Sequence, residues 1–155
     1  MRITLELMTR ELCHALFRGW QNDPANYADM ILYRPYVYDE AAVDRYFDAK
    51  REPSRTVLAI MLAGEPIGEV QLKRIDREKG ECTLSVHMKH DGLKGCGFGT
   101  EAERLAVAYA FETLGLCAVN ADTVKKNTRS AHVLEKVGFK RIGEDEGFFY
   151  YRLEK

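Results

Sequence analysis

Three glycines alternate with other residues in the stretch Lys94-Gly95-Cys96-Gly97-Phe98-Gly99-Thr100, which constrains the fold more than any other part of the chain. An apolar, alternating run ends near His90 and a helical pattern begins at Thr100, so the sequence predicts a strand, a tight loop and a helix in succession. Glycine permits backbone angles that are closed to other residues and leaves N–H groups accessible, while the helix start adds a partial positive charge. These properties predict a phosphate-binding loop.

Two common phosphate-binding loops do not fit this stretch. A P-loop ends in Gly-Lys followed by Ser or Thr, whereas Gly99 is followed by Thr100 and Glu101. The dinucleotide fingerprint G-x-G-x-x-G would need glycine in place of Thr100 and a position early in a βαβ unit, whereas about ninety residues precede this loop. We therefore expect neither of these two sites.

The loop resembles the pyrophosphate loop of the GNAT N-acetyltransferases, in which Gln or Arg, two residues, Gly, one residue, and Gly or Ala follow a splayed strand. Lys94, Gly97 and Gly99 occupy those places, and lysine keeps a cation there while losing the fork geometry of arginine. A second stretch, Asn127-Thr128-Arg129-Ser130-Ala131 followed by Leu134-Glu135-Lys136-Val137-Gly138-Phe139, resembles the asparagine, short helix and Lys-x-Gly-Phe that close the family's cofactor site. The two motifs cover roughly the C-terminal half of the chain, and the N-terminal half matches only in general layout.

Hydrophobic patterns along the chain predict an α/β (α+β) fold, a single mixed, mostly antiparallel sheet flanked by helices, as one acetyltransferase-like domain over residues 1–155. The predicted order is β-α-α-β-β-β-α-β-α-β-β, which is also the order that the family resemblance implies. The helix over 100–114 has a Thr100/Glu103 capping-box spacing at its start and Gly115 as its stop. Strands over 139–144 and 148–153 form the final hairpin.

The composition argues against some classes of partner. The chain has 155 residues and a formal net charge of -1, so no basic excess exists to neutralise a nucleic-acid backbone. No run within residues 1–20 approaches the ~18 apolar residues of a membrane span. We therefore expect a soluble, cytoplasmic protein, a monomer or homodimer, with no nucleic-acid and no membrane partner.

Cysteine and histidine spacing predicts neither disulfides nor a metal site. The four cysteines lie far apart, form no C-x-x-C pair and are expected to be free thiols. His87 and His90 have an H-x-x-H spacing, but residues three apart on a strand point to opposite faces, so they cannot readily share an ion.

The resemblance implies acetyl-CoA as co-substrate, without a metal. In the family, the fourth and fifth strands run parallel and splay apart at a strand-four bulge, where the pantetheine arm pairs with exposed backbone; here that edge corresponds to His87, Met88 and Lys89. A backbone N–H at Met88 or a neighbour would bind the oxyanion. The expected cofactor-binding residues are His87, Met88, Lys89, Lys94, Gly95, Cys96, Gly97, Phe98, Gly99, Thr100, Asn127 and Ser130.

Many family members protonate the leaving thiolate with a tyrosine seven residues after the motif asparagine, where this chain has Leu134. The Asn-x-x-Ser spacing resembles the Rim-type ribosomal-protein acetyltransferases, which implies Ser130 as the proton donor. Ser130 is equally compatible with a simple role at a helix N-terminus. The absent tyrosine also leaves open a non-catalytic acetyl-CoA-binding sensor or interaction module. An acyl-Cys96 intermediate is disfavoured, because a residue beside the pyrophosphate lies too far from the thioester.

Three residues are candidates for the general base that deprotonates the amine. Asp122 lies five residues before Asn127, where some family members carry glutamate. Glu69 lies among polar alternating residues of the third predicted strand, and His87 has a reference pKa near neutrality, ~6.5. Each is also compatible with a solvated surface role.

An irregular segment from Tyr27 to Tyr38 is unusually rich in tyrosine and is the candidate acceptor site. Tyr33, Tyr36 and Asp29 combine aromatic faces with a carboxylate, which attracts a cationic amine. The alternative is that these aromatics pack the loop onto the sheet. Arg34 in the same segment favours a zwitterionic or peptidic acceptor, and the Rim-type resemblance favours a protein N-terminus.

Overall fold

The computed structural model describes residues 2–93 and 95–155 and places a seven-stranded sheet at the centre of the chain, in the order β1-β2-β3-β4-β5-β7-β6. The strands are β1 (Thr4–Leu7), β2 (Thr56–Leu62), β3 (Glu65–Asp76), β4 (Glu81–Met88), β5 (Ala118–Val124), β6 (Lys140–Glu144) and β7 (Phe148–Glu154). The α-helices are α1 (Arg10–Phe17), α2 (Glu40–Ala49), α3 (Phe98–Ala108) and α4 (Thr128–Val137), and a π-helical turn, Tyr109–Thr113, extends α3. This arrangement confirms the predicted fold class and element order.

Helices cover both faces of the sheet. On one face, α1 and α2 pack through a buried cluster: Cys13, Leu16, Phe17 and Val43. On the other face, Ala102 and Ala106 of α3 belong to the main core. Because successive strand residues point to opposite faces, Val70 and Leu72 of β3 join that core, and full burial of each such side chain contributes about 1.5–3 kcal/mol. Glu69, by the same alternation, faces α2.

The opening in the sheet lies between β4 and β5, the parallel neighbours among the described strands. These strands pair from Glu81 opposite Ala118 to Leu84 opposite Ala121, and their pairing stops there. β4 nevertheless continues to Met88 and β5 to Val124. The two strand ends therefore diverge, as the family resemblance implied.

Two local expectations were wrong. The bulge lies in β3, not in β4, since the register slips between Lys73 and Asp76 while β4 pairs regularly with β3 up to Met88. α3 begins at Phe98 with Gly97 as its N-cap, so Thr100 and Glu103 are buried inside the helix and form no capping box. The left-handed glycines of the loop end at Gly97, with φ +81°, so the helical conformation begins at the next residue.

Other expectations concern chemistry and location. Cys13, Cys82 and Cys117 are free thiols, as predicted. Within the described residues, no three His, Cys, Asp or Glu side chains gather closely enough to hold a metal ion. The helices in the same part of the chain are too short or too polar to cross a bilayer.

Candidate active site

A cleft of about 1130 Å³ passes through the opening between β4 and β5. Its walls come from both faces of the sheet, because β3 and α2 line one end while the glycine loop, α3 and α4 line the other. Sequence-predicted residues that line it are Glu69, His87, Met88, Gly95, Gly97, Gly99, Thr100, Asn127, Ser130 and Tyr36. The opening thus brings the two sequence motifs and two of the candidate bases into one cavity.

The glycine loop and the start of α3 form a corner of the cleft, which we name the anion-binding corner because its geometry suits an anion. Gly95 and Gly97 have φ values of +79° and +81°, which allow successive N–H groups to converge. Among the described residues no side chain caps α3, and the first intrahelical bond of this turn runs from Glu101 N–H to the Gly97 carbonyl. The N–H groups of Phe98, Gly99 and Thr100 therefore remain available to an anion. Lys94, the expected cation of this loop, lies outside the described residues.

The backbone of β4 is open toward the cleft at alternate residues. Lys89 N–H donates to the Ile67 carbonyl of β3 at 2.7 Å, and Gln21 N–H donates to the Lys89 carbonyl at 2.8 Å. In an antiparallel pair, alternate residues bond to the partner strand, so His87 also points its backbone groups toward β3. Those of Met88 and Val86 point to the opening. Of the predicted edge residues His87, Met88 and Lys89, only Met88 points its backbone groups to the opening. Val86, which the sequence analysis did not name, also points its backbone groups there.

Glu69 is a buried carboxylate in the cleft wall, 3% exposed. Its Oε1 accepts hydrogen bonds from Tyr46 Oη at 2.5 Å and from Gln71 Nε2 at 2.8 Å. Burial and the neighbouring Glu69 raise the pKa of Tyr46, which keeps its hydroxyl protonated as a donor. Glu69 Oε2 is buried and has no hydrogen-bond partner among the described residues. Such an unsatisfied atom typically costs about 1–3 kcal/mol, so its presence in a cleft points to function.

His87 lies directly opposite Glu69 in the β3–β4 register. Burial lowers the pKa of His87, and the Glu69 carboxylate only partly opposes this effect. The imidazole is therefore neutral near pH 7 and able to accept a proton. Asp122, the third candidate base, is exposed on β5 and is not part of the cleft wall.

Aromatic side chains form the wall beside Glu69. Phe17 contacts Trp20, Tyr36 and Tyr46 with ring centroids 4.9, 5.9 and 5.2 Å away. Of the three predicted acceptor residues, Tyr36 lines the cleft but Tyr33 and Asp29 do not. Tyr33 packs edge-on against Tyr27 at 5.4 Å, and Asp29 Oδ1 accepts from Ile31 N–H at 2.9 Å. Tyr33 and Asp29 therefore make contacts within the loop. Trp20 and Tyr46 line the cleft, and the sequence analysis did not name them as site residues.

Asn127 fixes the start of α4 at the mouth of the cleft. Its Oδ1 accepts from Ser130 N–H at 3.0 Å, and its Nδ2 donates to Asn26 Oδ1 at 2.9 Å. The loop that carries Asn26 therefore reaches across to α4. Ser130 lines the cleft through this arrangement and is half-buried.

Glu103 is a second buried carboxyl group in the cleft, 7% exposed. It lies one helical turn after Gly99, on the same face of α3. Burial raises the pKa of Glu103 to about 8. The side chain is therefore a neutral carboxylic acid below that pH.

We expect Glu103 to make the protein less stable as the pH rises from about 4.5 to about 8. In this window the unfolded chain has released the Glu103 proton and the folded chain retains it, so the free energy of unfolding falls by up to about 1.4 kcal/mol per pH unit. Glu103→Gln removes this dependence. Urea unfolding of both proteins at pH 5 and pH 8 measures it, and an equal difference between them at both pH values contradicts the assignment.

Comparison with known proteins finds similarity to N-acetyltransferases. A family model described as "Acetyltransferase (GNAT) domain" matches residues 2–140. The probable N-acetyltransferase YjcK of Bacillus subtilis is 38% identical over 77 residues, which are 50% of this chain and 42% of that protein. An uncharacterized N-acetyltransferase, p20 of Bacillus licheniformis, is 25% identical over 92% of this chain and 81% of its own length.

Solved structures agree with these matches in fold. Spermidine N-acetyltransferase from Vibrio cholerae, in complex with CoA and spermine, superposes with a TM-score of 0.78 at 16% identity and covers 98% of this chain and 95% of its own. The match to YjcK spans less than half of that relative's length. The structural likeness establishes the arrangement of strands and helices around the opening.

Proposed function

The chain belongs to the GNAT acetyltransferase family, and from that premise we propose that it transfers the acetyl group of acetyl-CoA directly to a primary amine in a ternary complex, with residues 1–155 acting as one catalytic domain. One observation carries the proposal. A single cleft joins the anion-binding corner at Gly97 to the buried Glu69 and the half-buried His87, through the gap where β4 and β5 separate. Binding of a phosphate-bearing acyl donor and deprotonation of an amine both need such groups.

The residues of the cleft fit acetyl-CoA as a substrate. The N–H groups of Phe98, Gly99 and Thr100 have no intrahelical partner and suit its pyrophosphate. A Cβ placed on Gly99 would meet no other atom within 4 Å, so the helix start has room for the phosphates. The open backbone of Met88 and Val86 suits the amides of the pantetheine arm. Asn127 closes the cleft on the α4 side.

Acetyl transfer needs a base, an oxyanion donor and an acid. Glu69 accepts the proton that the acceptor amine loses, directly or through a water molecule, and neutral His87 stands beside it as the alternative base. Met88 N–H donates a hydrogen bond to the carbonyl oxygen as negative charge develops there. As the new N–C bond forms and the C–S bond breaks, Ser130 supplies a proton to the leaving thiolate and regains it from solvent. Glu69 then releases its proton to solvent, so that the coenzyme, the amine, these groups and solvent account for every bond and proton of the proposed reaction.

Replacing Ser130 with alanine should lower kcat by about 100-fold, because the leaving thiolate loses its acid. The Asn127 cap accepts from the Ser130 backbone N–H, which alanine retains, so α4 and coenzyme binding should persist. Steady-state kinetics with acetyl-CoA measures the effect, with Thr128→Ala as the control at an exposed position two residues earlier. A kcat within about twofold of wild type would leave Ser130 with only a helix-terminal role.

Two classes of acceptor are candidates for this cleft. The spermidine N-acetyltransferase structures suggest a polyamine, whereas the Asn-x-x-Ser spacing at Asn127 and Ser130 resembles the Rim-type branch and suggests a protein N-terminus. Measuring CoA release with peptides, polyamines and aminoglycosides in one screen tests the reaction and the acceptor together. The second candidate function is a coenzyme sensor, which Leu134 in place of the usual tyrosine favours. A sensor would bind acetyl-CoA and release no CoA with any amine.

A further inference from the structure

Four cationic side chains line the end of the cleft that lies between α2 and β3: Lys50, Arg55, Lys73 and Arg74. They come from separate elements, since Lys50 follows α2, Arg55 precedes β2, and the other two lie on β3. Glu69, Gln71 and Lys73 alternate along β3 on the face toward α2. The cations are therefore placed on the same wall as the proposed base.

Opposite charge is scarce around this group, which we name the cationic end. Arg55 pairs with Glu52 at 3.2 Å and donates to Gln71 Oε1, while the Lys50 ammonium lies 5.1 Å from the Tyr46 ring centroid. In the described part of the chain, no carboxylate lies within 4.0 Å of the charged nitrogens of Lys50, Lys73 or Arg74.

The cations also oppose one another. Burial lowers the pKa of Lys73, Asp122 opposes that effect, and Arg74, Arg55 and Lys50 add to it. The fold thus gathers like charges at a cleft wall, where among the described residues only Arg55 of the four has a carboxylate within 4.0 Å.

The bulge in β3 is what adds Arg74 to this wall. In a regular strand, neighbouring residues point to opposite faces, so Lys73 and Arg74 could not both line one cleft. Here the register slips between Lys73 and Asp76, and Arg74 has φ +52°, a left-handed conformation that is unfavourable for arginine. Bulges near functional sites re-aim side chains, and strained backbone of this kind is retained where it serves function.

We propose that Lys73 and Arg74 form a subsite for an anionic group of the acceptor, so that the acceptor is a primary amine bearing a carboxylate or phosphate. This inference rests on the proposed function, which places the acceptor amine at Glu69. Lys73 follows Glu69 by four residues, which is about 13 Å along an extended strand. Because both side chains can reach toward each other, the amine and the anion lie roughly 6 to 12 Å apart. Two ammonium groups, as in a diamine, would bring a second cation to the cationic end and be repelled.

The test compares three acceptors of matched length: 6-aminohexanoate, hexylamine and 1,6-diaminohexane. A charge-assisted contact to arginine or lysine is expected to favour 6-aminohexanoate over hexylamine by about 10- to 100-fold in kcat/KM, with 1,6-diaminohexane poorest. Two tripeptides with amidated C-termini, Ala-Gly-Asp and Ala-Gly-Asn, distinguish a peptide acceptor from a small-molecule acceptor. The two peptides differ only in the charge of the last side chain. If the Asp peptide exceeds 6-aminohexanoate, the natural acceptor is a peptide N-terminus, and the reverse order indicates a small molecule.

Variants connect any preference to the subsite. Asn tolerates left-handed backbone, so Arg74→Asn removes the charge without new strain, and Arg74→Lys retains it. The double variant Lys73→Gln, Arg74→Asn should reduce the 6-aminohexanoate to hexylamine ratio to within about threefold of unity, as expected when both charge-assisted contacts are lost. Arg74→Lys should keep most of the ratio. Arg77→Asn, at an exposed turn residue outside the cleft wall, should leave the ratio unchanged.

The outcomes distinguish the subsite from the reaction. A preference for 1,6-diaminohexane, or a carboxylate preference that survives in the double variant, overturns the subsite even when CoA is released. If no amine releases CoA, the proposed function fails, and calorimetry of 6-aminohexanoate and hexylamine with the CoA-saturated protein then decides the subsite by itself. Equal binding of the two compounds would overturn it.

Discussion

Glu69→Gln is expected to lower kcat by about 10²- to 10⁴-fold, the range typical for loss of a general base. Glutamine keeps the size of the side chain and can still accept hydrogen bonds from Tyr46 and Gln71, so the network around it should persist. Coenzyme affinity should stay within about twofold of wild type, because Glu69 lies on the other side of the opening from the anion-binding corner. Stopped-flow or steady-state measurement of CoA release, together with calorimetry of acetyl-CoA, provides both values.

Glu65→Gln is the matched control, since Glu65 is an exposed glutamate at the start of the same strand. It should leave kcat unchanged. Comparing the Glu69→Gln and His87→Gln variants separates the two candidate bases, which face each other across β3 and β4. If Glu69→Gln retains full activity while His87→Gln loses it, His87 is the base and Glu69 only holds the cleft wall.

Gly97→Val should weaken acetyl-CoA binding by at least about 100-fold. Gly97 has φ +81°, and an L-residue in that conformation costs roughly 1–2 kcal/mol, more when it is β-branched. Relief of that strain would rotate the N–H groups that converge at the start of α3. A Cβ at this position would meet no protein atom within 4 Å, so the substitution should act on the loop and its ligand while leaving the core packed.

Calorimetry of acetyl-CoA measures the loss, and thermal unfolding checks that the fold is retained. Gly143→Val serves as control, because Gly143 lies in β6, has no positive φ and has open space around its Cα. Unchanged coenzyme affinity in Gly97→Val, with the loop fold intact, would contradict the anion-binding assignment.

Local signals in the sequence were sufficient where the chemistry is local. The glycine loop and the stretch from Asn127 to Ser130 each consist of neighbouring residues, so spacing alone predicted two stretches that line the same end of the cleft. The hydrophobic patterns also gave the correct element order, because each strand and helix carries its own period. Spacing could not distinguish a capping box from a buried helix face, and Glu103 was therefore assigned to the wrong environment.

The proposed acceptor end of the cleft, around Glu69, depends on contacts between residues that are distant in sequence. Tyr46 reaches Glu69 from 23 positions away and Gln71 from 25, and no pattern within a single element records these bonds. Alternation along β3 drew attention to Glu69 but could not show which partners leave Oε2 unsatisfied. The bulge at Arg74 carries no glycine or asparagine that would announce a left-handed residue, so its position follows only from pairing with β4.

The two ends of the cleft that crosses the sheet are built from different parts of the chain. The coenzyme end is built mainly from residues after position 94, whereas the wall proposed for the acceptor comes from α2, β3 and the loop before α2, all earlier in the chain. Substitutions that retune which amine is accepted can therefore accumulate in the first part without disturbing the donor end. Diversification of acceptors on a constant donor platform is the evolutionary behaviour that this geometry permits.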